Sequence, residues 1–283
     1  MAVPAGCANK ADEIVLCGDD MVLIIDNKAS DSTDIKVNWS WKVSEAQDLH
    51  VDYHKLMVPT DECKPVDCNS NILITSSGGG VVLVNRETKK TLFYARVPMA
   101  HSAEMLPGNR IVVALSTAEG GNSIELYNAC EPEHLLFRDS LYSGHGVVWM
   151  RKIQRLYALG FDELRSYSLQ DWESDKPVLK LEKIWKLPDE SGHDLSPVND
   201  QTLLVTTHHN VWLFDMENEK FTPFSMLAGT ENVKSVNYNE RTGELLFTKA
   251  EISWWTHNIY LRNPDKTIVL PYLKIYKVRE IRN

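Results

Sequence analysis

Short apolar runs, each six or seven residues long and closed by Gly, Asn, Asp or Pro, recur along the chain. They include EIVLCG (13–18), MVLIID (21–26), KVNWSW (36–41), NILITSS (71–77), GVVLVN (80–85), TLFYARV (91–97), RIVVALS (110–116), SIELYN (123–128), RLYALG (155–160), TLLVTT (202–207), NVWLFD (210–215), ELLFTK (244–249) and NIYLRN (258–263). Runs of this length, rich in β-branched and aromatic residues and punctuated by turn formers, read as strands. The fold class is all-β. One segment departs from the pattern: SEAQDLHVDYHKLM (44–57) carries Leu and Met at helical intervals and predicts a helical interruption.

Strands at such close spacing fit a sandwich, a barrel or a propeller, and internal repetition decides among them. Aligned on their second strands, five units share one shape: a polar head, a short strand, a turn and an apolar strand. The heads are Lys64, His101, His145, His193 and Lys234, each eight to ten residues ahead of its second strand. Each second strand leads to a third that ends in a turn, such as VNRETKK, YSLQDWE, FDMENEK or RNPDKT, and then to an outer fourth. That is the unit of a β-propeller blade. EIVLCG, MVLIIDNK and KVNWSWK supply three strands of a further blade, and the C-terminal IYKVREI supplies its missing inner strand. The expectation is a six-bladed β-propeller of four-stranded antiparallel blades, closed by pairing of the N- and C-terminal strands, which removes exposed sheet edges. Residues 11–283 read as one propeller domain and residues 1–10 as an N-terminal tether.

Inner-strand heads of a propeller converge on its axis, so Lys64, His101, His145, His193 and Lys234 are expected to ring one mouth, with Lys277 or Arg279 as the sixth member. With nine histidines in 283 residues, three in register among five positions arise by accident at roughly 0.5% even after allowing for the choice of column. Imidazoles converging from adjacent blades suit a divalent transition metal (Zn, Mn, Fe or Ni) held by His101, His145 and His193, with open positions for water or substrate. Asp194 and Glu104 are candidates for orienting those ligands or joining them. Lys64, Lys234 and Arg279 call for an anion: a carboxylate, sulfate or phosphate. Turns between second and third strands fall on the same face, which brings His208, His209 and His257 to the rim, and Trp254 and Trp255 offer flat faces to a sugar. The competing reading of the three head histidines is structural, as caps on turns or bonds to the next blade. For the tryptophans it is core packing, and for His208 and His209 a solvated hairpin.

Other chemistry is absent from the sequence. His101 and Ser102 are adjacent on a strand and so are expected to point to opposite faces, and no G-x-S-x-G elbow occurs. SSGGG (76–80) lacks the lysine and helix of a phosphate loop. His50 and His54 share a helical face that reads as solvated, and His134 falls on the opposite face. No catalytic residue is assigned.

A formal charge of −9 without basic runs excludes a general nucleic-acid binder, and no stretch is apolar enough for a membrane helix. The five cysteines lack zinc-ribbon spacing. Cys63 and Cys68 lie close in sequence but read as free thiols, and Cys7 follows Ala5 and Gly6 as the lipid-bearing cysteine of a lipoprotein does.

The segments DECKPVDCNSNILITSSGGGVVLVNRETKKTLFYARVPMAHSAEMLPGNRIVVA and IYLRNPDKTIVLPYLKIYKVREI resemble an uncharacterised family of exported bacterial six-bladed propellers, and the resemblance runs nearly the full length. It implies the same fold and an exported setting, periplasmic or at the cell surface; the residues around Cys7 make it the candidate lipid anchor. A looser resemblance, of site logic rather than alignment, is to metal-dependent oligogalacturonate lyases, in which axial histidines hold a metal and cations neutralise a uronate. It implies metal roles for His101, His145 and His193 and carboxylate roles for Lys64 and Lys234. The functional expectation is therefore a monomeric exported propeller that binds an acidic saccharide or other small anion. If it is an enzyme, it is a metal-dependent lyase of uronic-acid saccharides; the alternative is a non-catalytic binding or protein-interaction propeller.

Overall fold

A computed structural model describes residues 13–281. Six four-stranded antiparallel sheets follow one another along the chain. From inner to outer strand, blade 1 comprises Ile275–Glu280, Glu13–Gly18, Met21–Asp26 and Val37–Lys42. Blade 2 comprises Thr60–Val66, Asn71–Ser76, Gly80–Asn85 and Thr91–Arg96, and blade 3 Ala100–Leu106, Arg110–Leu115, Ser123–Asn128 and Leu135–Ser140. Blade 4 comprises Gly146–Met150, Arg155–Leu159, Glu163–Gln170 and Val178–Lys186. Blade 5 comprises Asp194–Pro197, Thr202–Thr206, Val211–Asp215 and Lys220–Pro223, and blade 6 Val233–Asn239, Glu244–Lys249, Asn258–Arg262 and Lys266–Val269. Inner strands of successive blades touch in turn, and blade 6 returns to blade 1. The expected six-bladed propeller is therefore what forms, and its ring is closed as expected: Ile14 pairs with Glu280, Val15 with Arg279 and Leu16 with Val278.

Alternation along each strand divides its side chains between the two neighbouring blades, so the core is shared out among the blade interfaces. Six apolar clusters result, one at each interface; Val15, Val22 and Ile24 of blade 1, for example, pack on Ile72, Ile74 and Val84 of blade 2. The helical interruption is present but broken into a 3-10 turn at Val43–Glu45, a single α-turn at Val51–His54 and a second 3-10 turn at Lys55–Met57. It survives because Leu49, Tyr53 and Met57 are buried against the blade 1–2 cluster. His50 caps this segment, accepting from the Asp52 amide, and His54 bonds the Leu49 carbonyl.

Candidate functional site: a three-tiered polar channel

Four of the six inner strands carry a β-bulge one residue after they begin, at Asp61, His101, Lys234 and, in blade 1, Tyr276. A bulge leaves one residue unpaired and re-aims its side chain. Two successive residues then serve the channel where alternation allows one. His145 and His193 stand at the same place, just ahead of their strands, with amides bonded to the Leu159 and Thr206 carbonyls. The upper mouth is therefore ringed by Asp61, His101, His145, His193, Lys234 and Tyr276, all buried.

The histidines do converge. Ring centroids of His101 and His145 are 4.4 Å apart, those of His145 and His193 5.4 Å, and His101 lies edge-on to Tyr276 at 6.0 Å. His101 Nδ1 bonds the Met99 carbonyl at 3.0 Å and His145 Nδ1 the Ser143 carbonyl at 2.8 Å. A carbonyl only accepts, so in both rings Nδ1 carries the proton and Nε2 is the bare lone pair of the neutral form. His193 differs: its buried Nδ1 has no partner among the described residues, and its Nε2 lies 2.7 Å from Lys234 Nζ. Burial lowers the pKa of all three histidines, with Asp61 partly opposing it at His101 and neighbouring imidazoles or Lys234 adding to it at the other two. Burial, then Lys277, brings the Lys234 amine down to about 7. The mouth thus holds three uncharged imidazoles and an amine poised at neutrality. Burial pushes the Asp61 carboxyl up against the pull of His101, and its carboxylate accepts from the Ser77 amide.

A second tier lies immediately below and consists of Glu62, Ser102, Gly146, Asp194, Ser235 and Lys277. Arg279 reaches up from the third tier to bind Glu62 at 2.6 and 2.8 Å and Asp194 at 2.8 Å, and Lys277 adds Asp194 at 3.1 Å and Glu62 at 3.5 Å. Glu62 and Asp194 belong to blades three apart, hence opposite each other across the axis. Two cations from the ring-closing strand therefore bridge the channel and fill it with a neutral quartet. Burial works against both carboxylates, but Arg279 and Lys277 outweigh it, holding Glu62 down at about 2 and Asp194 far below the usual range.

Several placements differ from those expected. Lys64 is not a member of the histidine ring; the head of its blade is Asp61, and Lys64 sits in the third tier with Glu104, Val148, Ser196, Asn237 and Arg279. The sixth head is Tyr276, not Lys277 or Arg279. Asp194 and Glu104 do not orient the histidines, because one is bound to Arg279 and the other lies 3.4 Å from Lys64. Ser102 does face the channel beside His101, since the bulge suspends alternation, and its hydroxyl donates to Glu62 at 3.3 Å. Cys17 and Cys63 are the adjacent thiols, both buried, while Cys68 is free and exposed. Cys7 and residues 1–10 lie outside the described residues.

At the rim, Trp254 lies over Lys234, with the ammonium 5.0 Å from its ring centre, and 56% of the residue remains exposed. His208 stacks edge-on against His209 at 4.5 Å and is near enough to influence the His193 imidazole. His209 is exposed and 3.2 Å from Glu231. His257 is a loop anchor, with Nδ1 donating to the Leu273 carbonyl at 2.7 Å. Trp255 holds its turn through backbone bonds to Glu251 and Ile252. Among the described residues no three His, Cys, Asp or Glu side chains stand as a ready cation site, and no helix is long and apolar enough to cross a membrane.

Residues 12–283 match a family of unknown function, DUF6528. The chain belongs to that family. No curated protein matches it. Among solved structures, it is similar to a chain in the crystal structure of a nidogen/laminin complex, at 12% identity and a TM-score of 0.64, with 96% of this chain and 99% of that chain covered. At that identity the likeness is one of fold.

Proposed function

We propose that the histidine mouth binds the carboxylate of a small acidic ligand, and that an acidic saccharide is the class its rim suits best. The observation that carries this reading is Lys234, buried under Trp254 with its amine against His193. An anion arriving there favours the charged amine, so binding draws a proton onto Lys234. The exposed part of Trp254 offers an apolar face to a sugar ring beside that charge. Calorimetry with galacturonate and its oligomers at pH 6 and pH 8, in buffers of different ionisation heat, tests it. Binding should be tighter at pH 6, accompanied by proton uptake, and lost in Lys234→Met; no binding at either pH overturns the reading. Ultraviolet absorbance of unsaturated product in the same mixtures reports whether the site turns its ligand over as a lyase.

A specific observation favours a second reading, a divalent transition metal. His101 and His145 hold their Nδ1–H groups on backbone carbonyls, as metal-binding imidazoles do. Rings sharing an ion at a Zn–N distance of about 2.0–2.1 Å place their centroids roughly 4.5–5.2 Å apart, close to the spacings present. A third bond, from His193 Nε2, requires Lys234 to move away. The two readings have opposite proton linkage, since metal binding strengthens as pH rises. Metal analysis of protein purified without a nickel column, with His101→Ala and His145→Ala alongside, separates them.

A further inference from the structure

The six third-tier side chains, Lys64, Glu104, Val148, Ser196, Asn237 and Arg279, line a cavity of about 200 Å³ at the mouth opposite the histidines. Three of their polar groups are already committed. Arg279 is bound to two carboxylates, the Ser196 hydroxyl donates to the Val236 carbonyl at 2.6 Å, and the Asn237 amide donates to the Val278 carbonyl at 2.9 Å. Lys64 and Glu104 have capacity left. The Lys64 ammonium has three protons; one goes to the Val147 carbonyl, and another faces Glu104 across a loose 3.4 Å. Among the described residues, the Glu104 carboxylate accepts only that contact and its neighbour's amide, from Met105 at 3.2 Å, of about four lone-pair sites. Both side chains are largely out of water, at 11% and 19% exposed.

We propose that this lower mouth is a second small-molecule site, selective for a zwitterion whose ammonium and carboxylate lie a few Å apart, as in an α-amino acid. A lone anion would meet Lys64 but be repelled by Glu104, and a lone cation would meet the reverse. A ligand carrying both charges completes both groups and adds no net charge to a cavity that Glu280 also lines, so that discrimination comes from the unmatched charge. Val148 supplies the apolar wall for a side chain. The quartet of Glu62, Asp194, Lys277 and Arg279 stands between this cavity and the histidine mouth, which makes the two sites separable.

Thermal shift and calorimetry on the full chain, with each of the twenty free amino acids as probe, test the proposal. At least one should bind, and its N-acetyl and methyl-ester forms, each keeping one charge, should bind at least about tenfold more weakly. Glu104→Gln and Lys64→Met should each weaken the free amino acid by a similar factor, while His101→Ala leaves it unchanged. If Lys64→Met fails to fold, Glu104→Gln alone decides, because removing the negative charge should strengthen binding of the N-acetyl form while weakening that of the free acid. The proposal is overturned if no free amino acid binds, or if the blocked forms bind as well as the free one.

Discussion

Replacing Arg279 by Met removes the guanidinium that joins Glu62 to Asp194 across the channel and leaves Lys277 alone with two carboxylates. The size of the effect follows from the titration of Glu62. An ordinary carboxyl of its type titrates at 4.5, whereas here it is held at about 2; at roughly 1.4 kcal/mol per pH unit this is worth about 3 kcal/mol of stability. Asp194 is shifted in the same direction. Because the folded carboxyls are depressed, that stability is complete above pH 4.5 and is lost as pH falls toward 2. Breaking a buried ion pair by removing one partner costs about 3–5 kcal/mol. Urea unfolding followed by tryptophan emission should therefore show Arg279→Met less stable by that amount at pH 7, with a shallower loss between pH 4.5 and pH 2 than in the parent, because its carboxyls are no longer held down. The reasoning is refuted if the variant lies within about 1 kcal/mol of the parent at pH 7, or if the parent's stability is flat between pH 5 and pH 3.

Lys234→Met should stabilise the protein below pH 7 while abolishing binding of the acidic ligand. The buried amine titrates at about 7 instead of 10.5, so its cost to the fold is full below pH 7 and fades toward pH 10.5, which melting temperatures at pH 6 and pH 10 will report. Gly18→Ala should open the ring seam, because the added Cβ would lie 2.0 Å from the Lys274 carbonyl oxygen; a lower melting temperature and faster hydrogen exchange along Ile275–Glu280 are the readouts. Trp254→Ala should weaken galacturonate several-fold without lowering stability, since more than half of the residue is in solvent; an unchanged affinity would remove the aromatic platform from the reading.

The blades were legible because each second strand is a nearly continuous apolar run, and that signal survives any detail of pairing. Register along the inner strands was harder to read. His101, His145, His193 and Lys234 were found because their offsets from the second strand nearly agree. Lys64 stands at a shorter offset, whereas Asp61, ten residues ahead of Asn71 where the second strand begins, keeps the nine or ten of the others. A uniform offset points to Asp61, whereas the recurrence of cations points to Lys64. Tyr276 and the inward turn of Ser102 depend on bulges, which leave no compositional mark. The quartet was beyond sequence reasoning for a different reason: Glu62 and Asp194 meet Arg279 only because six blades place the second opposite the fifth.

Closure of the ring also sets an order of events in folding. The strand Glu13–Gly18 is fully buried in the finished blade, and its inner-side partner, Ile275–Glu280, lies some 260 residues further along the chain. While the intervening blades are being synthesised, the apolar row Ile14, Val15 and Leu16 has one unpaired edge, a template for another chain's strand. The last step, long-range and slow by its contact order, also brings in Lys277 and Arg279, the two charges that neutralise Glu62 and Asp194. A nascent chain stalled before residue 275 is thus left with both an open sheet edge and two acids on its axis without Lys277 and Arg279.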